Sequence, residues 1–369
     1  MKVLQVSGAK SWGGNEQQLV DSIEDLKKKG ADSIVFCYQN SPLEEYLRAN
    51  NLDFISVPEK KSYSLSLLKL LKKSIVSNHI DIVHVHTSNA VTTCVLTDLI
   101  FRPKVPIVFS KKGISKAKKG LSAYKYNYKN IKSIICVSKA VKESFKDTIV
   151  PKNHHKLEVV YDGIRIKRSE KKSQLNVRKN YNIDSKTPII GNIANHTRAK
   201  DLKTYVKSIN HLVNVLGVKD VFFFQIGKES KYSEDFMPMV EEYKLQDYVC
   251  FAGFVENAMD VLSQFDVYFM TSEREGLPIT IYEAFYKKIP VVSTRAGGIP
   301  EAIIHNENGF LSEVEDYKDL ASNLEKLLLD TSKKELFGKR SYDMLMNNFT
   351  SKQLAENTVK IYKKVINEN

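Results

Sequence analysis

The sequence predicts an α/β protein made of two doubly wound, parallel-sheet domains. Three observations carry that expectation. Short runs rich in β-branched and aromatic residues alternate with helical patterns almost from end to end, as a parallel sheet covered on both faces requires. The alternation breaks once, in a polar, lysine-rich stretch from Arg165 to Lys186, and then restarts. The length of 369 residues also suffices for two cores, at roughly 150 residues per domain.

In the first series, Val3–Val6, Ser33–Tyr38, Phe54–Val57, Ile82–Val85, Pro106–Ser110, Ser133–Val137 and Leu157–Tyr161 read as buried strands. Between the first two, Leu19, Ile23 and Leu26 recur on one helical face until Lys27-Lys28-Lys29-Gly30 ends the helix. The stretch Arg165–Lys186 reads as a linker with one short solvated helix. The second series comprises Pro188–Ile193, Val221–Ile226, Val249–Phe254, Val267–Thr271 and Val291–Thr294. The tail after Thr350 has the period of an amphipathic helix and is expected to cross back onto the first domain. Boundaries therefore fall at 1–165, 166–349 and 350–369. A cleft is expected between the domains, because ligands of such sheets bind beyond the carboxyl ends of the strands.

Composition narrows the class further. A hydrophobic share of 42% with 27% charged residues excludes wholesale disorder and collagen-like repeats. No run approaches eighteen apolar residues, so no transmembrane helix is expected. The opening Met1-Lys2-Val3-Leu4-Gln5-Val6-Ser7-Gly8 reads as a strand rather than a signal peptide. Cys37, Cys94, Cys136 and Cys250 lie far apart in apolar runs with no C-x-x-C, which predicts buried free thiols and a cytoplasmic protein. The net charge of +13 is unevenly placed: residues 1–170 hold 29 basic against 16 acidic residues, and the remainder holds 27 of each. From Leu99 to Lys142 there are twelve basic residues and no acid.

Chemistry concentrates in Thr271-Ser272-Glu273-Arg274-Glu275-Gly276-Leu277-Pro278-Ile279-Thr280-Ile281-Tyr282-Glu283. This segment follows a strand. Gly276 permits a tight turn, and Pro278 suits the first turn of a helix, where its missing N–H costs nothing. The N–H groups of that helix start would hold an anion. Glu275 in the turn and Glu283 in the helix would then flank a phosphate-bearing ligand with hydroxyls at both ends. The plainer alternative makes them a helix-end charge and a solvated helix residue. One strand later, Thr294-Arg295-Ala296-Gly297-Gly298-Ile299-Pro300-Glu301 repeats the design of strand, glycines and proline at a helix start.

These residues resemble the family 4 glycosyltransferases of the GT-B architecture, in which two Rossmann-like domains face a cleft. Glu275 through Glu283 matches the family's E-x7-E signature. Ile289-Pro290-Val291-Val292-Ser293-Thr294, Gly297 to Glu301, Asn308-Gly309-Phe310-Leu311 and Ala252-Gly253-Phe254 extend the match. In the first domain, Trp12-Gly13-Gly14-Asn15-Glu16, His84-Val85-His86 and Val137-Ser138-Lys139-Ala140-Val141 are similar in kind. The resemblance implies retaining transfer of a sugar from a nucleotide-diphosphate donor, a UDP-sugar being the first expectation, with no other cofactor. It implies that Glu283 holds the ribose hydroxyls and Glu275 the sugar hydroxyls. Gly276 and Leu277 would face the distal phosphate, with Gly13, Gly14 and Phe254 also on the donor. A basic pair neutralises the diphosphate in the family; here Lys200 matches, while Asn195 stands where the arginine belongs and Arg198 is the substitute. Lys112 stands where the family often has a histidine, and His86 is expected to face the cleft. With no D-x-D in the chain, a bound metal is not expected.

The acid-free stretch contains Lys111 to Lys129, in which lysines interleave with apolar residues and Tyr124, Tyr126 and Tyr128. That pattern suits an anionic membrane surface, or single-stranded nucleic acid, on whose bases tyrosines stack; the plainer alternative is a solvated lysine-rich loop. Taken with what the resemblance implies, the pattern leads to the expectation of a cytoplasmic enzyme lying peripherally on the inner face of the plasma membrane and acting on a glycan or lipid-linked acceptor of envelope, capsule or lipopolysaccharide type. Other readings are a sugar-nucleotide epimerase of the same architecture, a sugar-nucleotide binder without catalysis, and a nucleic-acid-binding protein. The last leaves the E-x7-E segment without a purpose, so no nucleic acid is expected.

Overall fold

The computed structural model describes residues 1–117, 119–166 and 173–368, with only the backbone of Leu121. Lys118 of the basic stretch, residues 167–172 of the linker and Asn369 of the tail lie outside the described residues. The chain divides into two units, Met1–Arg165 together with Phe349–Asn369, and Ile166–Asn348.

The first unit holds β1 (Lys2–Val6), β2 (Asp32–Tyr38), β3 (Phe54–Val57), β4 (Ile82–Val85), β5 (Ile107–Lys111), β6 (Ile131–Cys136) and β7 (Leu157–Val159). They form one sheet in the order β3-β2-β1-β4-β5-β6-β7, and every pairing is parallel. Strand order reverses between β1 and β4, the place where ligands of such sheets bind beyond the carboxyl ends of the strands. The helix Ser351–Asn367 packs on this sheet. Its Leu354, Val359, Tyr362 and Val365 share a core with Val3, Leu26, Ile82 and Val108.

Local chemistry fixes where that helix begins. Thr350 and Gln353 form a reciprocal cap, with the Thr350 N–H donating to Gln353 Oε1 at 2.9 Å. Thr350 also bridges Ile164, whose carbonyl accepts from the Ser351 N–H at 2.9 Å. The approach is so close that a Cβ on Gly163 would lie 2.3 Å from the Thr350 backbone. Only glycine fits there.

The second unit holds β8 (Ile189–Ile193), β9 (Phe222–Ile226), β10 (Val249–Phe251), β11 (Val267–Met270), β12 (Val291–Thr294) and β13 (Gly309–Ser312). Their order is β10-β9-β8-β11-β12-β13, again all parallel. Here the reversal falls between β8 and β11. Aromatics fill the core: Tyr205 stacks on Phe269 at 5.2 Å between ring centres and meets Phe223 edge-on. Such pairs contribute about 0.5–1.5 kcal/mol beyond their buried area.

Several details depart from the sequence reading. β13 was not foreseen, and β10 stops at Phe251, because Gly253 turns the chain at φ +68°. Pro278 stands just before the helix Ile279–Tyr286 rather than inside its first turn. After β12 the glycines lead into a 3₁₀ turn, Ile299–Glu301, and not into a helix. Cys37, Cys94 and Cys136 are buried free thiols, but Cys250 is only half buried. Among the described residues no helix is long and apolar enough to cross a membrane.

Candidate active site

Because β8 and β11 are neighbours at the reversal, the loops that follow them run side by side. Backbone and hydroxyl bonds stitch these loops together. The Glu273 N–H donates to the Ala199 carbonyl at 2.9 Å, and Thr271 Oγ1 donates to the Asp201 carbonyl at 2.9 Å. Residues 75 apart in sequence thereby meet: Lys200 Nζ lies 2.5 Å from Glu275 Oε1. Ser272 Oγ donates to the same oxygen at 2.8 Å, so both bonds fall on Oε1. The pair is sheltered, with side-chain exposures of 24% for Lys200 and 11% for Glu275.

The other expected cation is placed differently. Arg198 is 77% exposed, and its Nε lies 3.7 Å from Glu273 Oε1. Asn195 accepts from the Lys228 N–H at 2.9 Å, which makes it a turn-former rather than a charge. Sequence reasoning missed His196, which is buried under the loop. Its Nε2 meets Gln225 Oε1 at 2.9 Å and its Nδ1 meets Ser233 Oγ at 2.7 Å. An amide oxygen only accepts, so Nε2 carries the proton. This ring anchors the turn that presents Arg198 and Lys200.

Past Glu275 the chain goes under cover. Gly276 and Leu277 are buried, and the helix Ile279–Tyr286 starts with a proline before it. Proline has no side chain to cap the first N–H groups, so the start of this helix keeps its partial positive charge. Glu283 is 8% exposed, which rules out the plain reading of a solvated helix residue. Beneath the segment, burial drives the Tyr268 hydroxyl well above the usual phenol range. Glu283 and Glu275 push it in the same direction, so this one strand side chain senses both carboxylates.

Phe254 lies three residues past the end of β10. It is 67% exposed, with the Lys228 ammonium 4.9 Å from its ring centre. A large aromatic held in the open beside a cation is available to stack.

The first unit repeats the logic at β1 and β4. Gly13 and Gly14 are exposed at the start of the helix Gly14–Lys28. Glu16 folds back on this start: burial raises its carboxyl above the ordinary range, opposed by bonds from the Glu16 and Gly13 N–H groups. At the end of β4, His86 Nε2 meets Gln5 Oε1 at 2.8 Å. Lys112 is not a lone cation. It pairs with buried Asp162, 50 residues on, at side-chain exposures of 14% and 6%. Sequence reading named Lys112 without its counter-charge.

In the basic stretch, Lys116, Lys119, Tyr124 and Lys129 are exposed. Tyr126 and Tyr128 are core residues. Their hydroxyls bond Ser88 Oγ at 2.6 Å and Asp98 Oδ2 at 2.8 Å. Two of the three tyrosines expected on a membrane or a nucleic acid are therefore unavailable to either.

Residues 12–168 match the family model described as Glycosyltransferase Family 4, and residues 173–344 match the one described as Glycosyl transferases group 1. The chain is 22% identical over 330 residues to the N-acetyl-alpha-D-glucosaminyl L-malate synthase of Bacillus anthracis, spanning 88% of this chain and 85% of that one. It is 22% identical over 362 residues to the capsular polysaccharide biosynthesis glycosyltransferase CapM of Staphylococcus aureus, spanning 94% and 93%. Among solved structures, Anabaena Alr3699/HepE in complex with UDP and glucose superposes with a TM-score of 0.82 at 17% identity, over 99% of this chain and 100% of that one. The fold is GT-B and the protein is a glycosyltransferase. Its first half is of the Family 4 type and its second half of the group 1 type.

Proposed function

We propose that this enzyme transfers a sugar, with retention of configuration, from a UDP-sugar to a glycan or lipid-linked acceptor of a cell-envelope polysaccharide. The meeting of Lys200 with Glu275 beside an uncapped helix start carries the reading. A nucleotide-diphosphate sugar presents, in order, a base, ribose hydroxyls, two phosphates and sugar hydroxyls. The second unit holds a group suited to each part: an exposed aromatic at Phe254, a sheltered carboxylate at Glu283, a cation with helix N–H groups, and the second oxygen of Glu275. The UDP and glucose named in the Anabaena complex and the capsular role named for the Staphylococcus relative support the substrate classes.

Chemistry follows from charge. As the bond between the anomeric carbon and the diphosphate breaks, negative charge grows on the leaving oxygen. On this reading Lys200 and the N–H groups near Gly276 and Leu277 meet that charge, and a cation held by Glu275 before the reaction keeps reorganisation small. Arg198, exposed and only loosely paired, serves the outer phosphate. His86 and Lys112 belong to the substrate side of the first unit. The exposed lysines of the Lys111–Lys129 stretch, Lys116, Lys119 and Lys129, hold that unit on an anionic membrane.

A panel of UDP-, GDP- and ADP-sugars is screened by thermal shift, since a ligand bound only by the folded state raises the melting temperature. A UDP-sugar should stabilise the enzyme, and proton NMR of the transferred sugar should show the donor's anomeric configuration. Stabilisation by no nucleotide sugar, or an inverted product, refutes the reading.

A further inference from the structure

A chain of buried polar side chains runs through the first unit from the C-terminal helix to the end of β4. Tyr362, fully buried in that helix, places its hydroxyl 2.5 Å from His84 Nδ1. His84 Nε2 meets Ser110 Oγ on β5 at 2.8 Å. On β1, which pairs with β4, Gln5 points its Nε2 to Ser33 Oγ at 3.1 Å and to the Tyr362 hydroxyl at 3.4 Å. Its Oε1 is thereby left for His86 Nε2 at 2.8 Å. Among the described residues that is the one side-chain hydrogen bond of the His86 ring.

Donor bookkeeping orients the whole chain. Gln5 Oε1 has no proton to give, so His86 Nε2 must supply one. With Gln5 donating to its oxygen, the Tyr362 hydroxyl gives its own proton to His84 Nδ1, and His84 Nε2–H donates to Ser110. His84 is then neutral, and both rings carry a proton on Nε2. The surroundings agree: burial, then His84, then the Lys112 cation hold His86 well below the ordinary imidazole range. The cation acting on it, Lys112, is itself paired with Asp162.

We propose that Gln5 and Tyr362 are positioning residues that hold His86 as a neutral imidazole protonated on Nε2, so that Nδ1 accepts a hydrogen bond from a substrate hydroxyl. The substrate half rests on the placement of His86 in the reading above. Its half-buried ring at the carboxyl end of β4, beside the strand reversal, is where ligands of such sheets lie. Through this chain the C-terminal helix sets the chemistry of a residue 276 positions earlier, since Tyr362 orients the amide that selects the tautomer.

The test uses the full-length enzyme labelled with 15N-histidine, with the His86 signals assigned by their loss in His86→Ala. Long-range 1H–15N spectra should show a proton on Nε2 and a bare Nδ1 between pH 6 and 8. Gln5→Met should give a mixture of tautomers and lower kcat about tenfold, the loss expected for one net hydrogen bond to a reacting group, with KM for the donor little changed. Gln5→Glu keeps an acceptor at Nε2 but adds a charge. It should raise the His86 pKa and create an acidic limb in the kcat profile that the wild type lacks, because protonation removes the Nδ1 acceptor. A wild-type proton on Nδ1, with transfer lost in His86→Ala, overturns the proposal and leaves the function reading intact. A proton on Nε2 with full turnover in His86→Ala overturns the substrate-facing role in both.

Discussion

At the scale of single residues, burial decides which charged groups do chemistry. Glu283 is 8% exposed inside a helix, a place a carboxylate occupies only when partners compensate its lost hydration. If those partners include ribose hydroxyls, Glu283→Gln should weaken donor binding by about 1.5–3 kcal/mol, the usual worth of hydrogen bonds to a charged group. Isothermal titration with the preferred UDP-sugar checks this, and an unchanged Kd refutes the assignment. Lys200 and Arg198 should separate kinetically. Lys200→Ala removes a sheltered cation and should lower kcat by about 10²-fold or more, as loss of an oxyanion donor does. Arg198→Ala, at a side chain 77% exposed, should cost far less. Steady-state rates that rank the two variants the other way would reverse their roles. The motif made Glu275 and Glu283 visible in the sequence. Asp162, His196, Gln5 and Tyr362 were not visible, because each acts on a partner 29 or more positions away with no local pattern to announce it.

Elements were easier to read than contacts. Buried parallel strands are apolar on both faces, and that is why twelve of the thirteen stand out as β-rich runs. β13 opens on Gly309 after Asn306-Glu307-Asn308, and so it looks like a turn. The C-terminal helix announced itself by period, but its polar link to β1, β4 and β5 did not. That link makes stability depend on pH. Burial, aided by the Lys112 cation, takes His84 from an ordinary 6.5 down to about 3. Between these values the unfolded chain binds a proton that the folded one refuses. The contribution of His84 is therefore complete above pH 6.5 and is lost as pH falls toward 3, by about 1.4 kcal/mol per unit. Urea unfolding from pH 6.5 to 5 should show a shallower slope in His84→Gln than in the wild type, where His86 adds to it in the same direction. Equal slopes would mean that His84 titrates normally in the folded state.

Over the whole molecule, charge divides along the two units. The first, with its returning helix, carries 31 basic against 17 acidic residues, and the second carries 25 against 26. A net charge of +14 on one unit is expensive in self-repulsion unless a polyanionic partner relieves it. Burial of Tyr126 and Tyr128 removes the aromatic faces that single-stranded nucleic acid would stack upon. What stays on the surface is Lys116, Lys119 and Lys129, with Tyr124 at 56%, Ile100 at 53% and Leu99 at 41% exposed nearby in sequence. Cations with a few apolar side chains match an anionic bilayer, where each cation near the surface adds about 1 kcal/mol. Changing Lys116, Lys119 and Lys129 together to glutamate should abolish sedimentation with phosphatidylglycerol vesicles at low salt, while UDP-sugar affinity stays unchanged. Wild-type sedimentation should itself fade as salt shortens the screening length to about 8 Å. If the wild type stays in the supernatant at low salt, the excess charge serves a soluble polyanionic acceptor instead, and the membrane has no part in delivering the substrate.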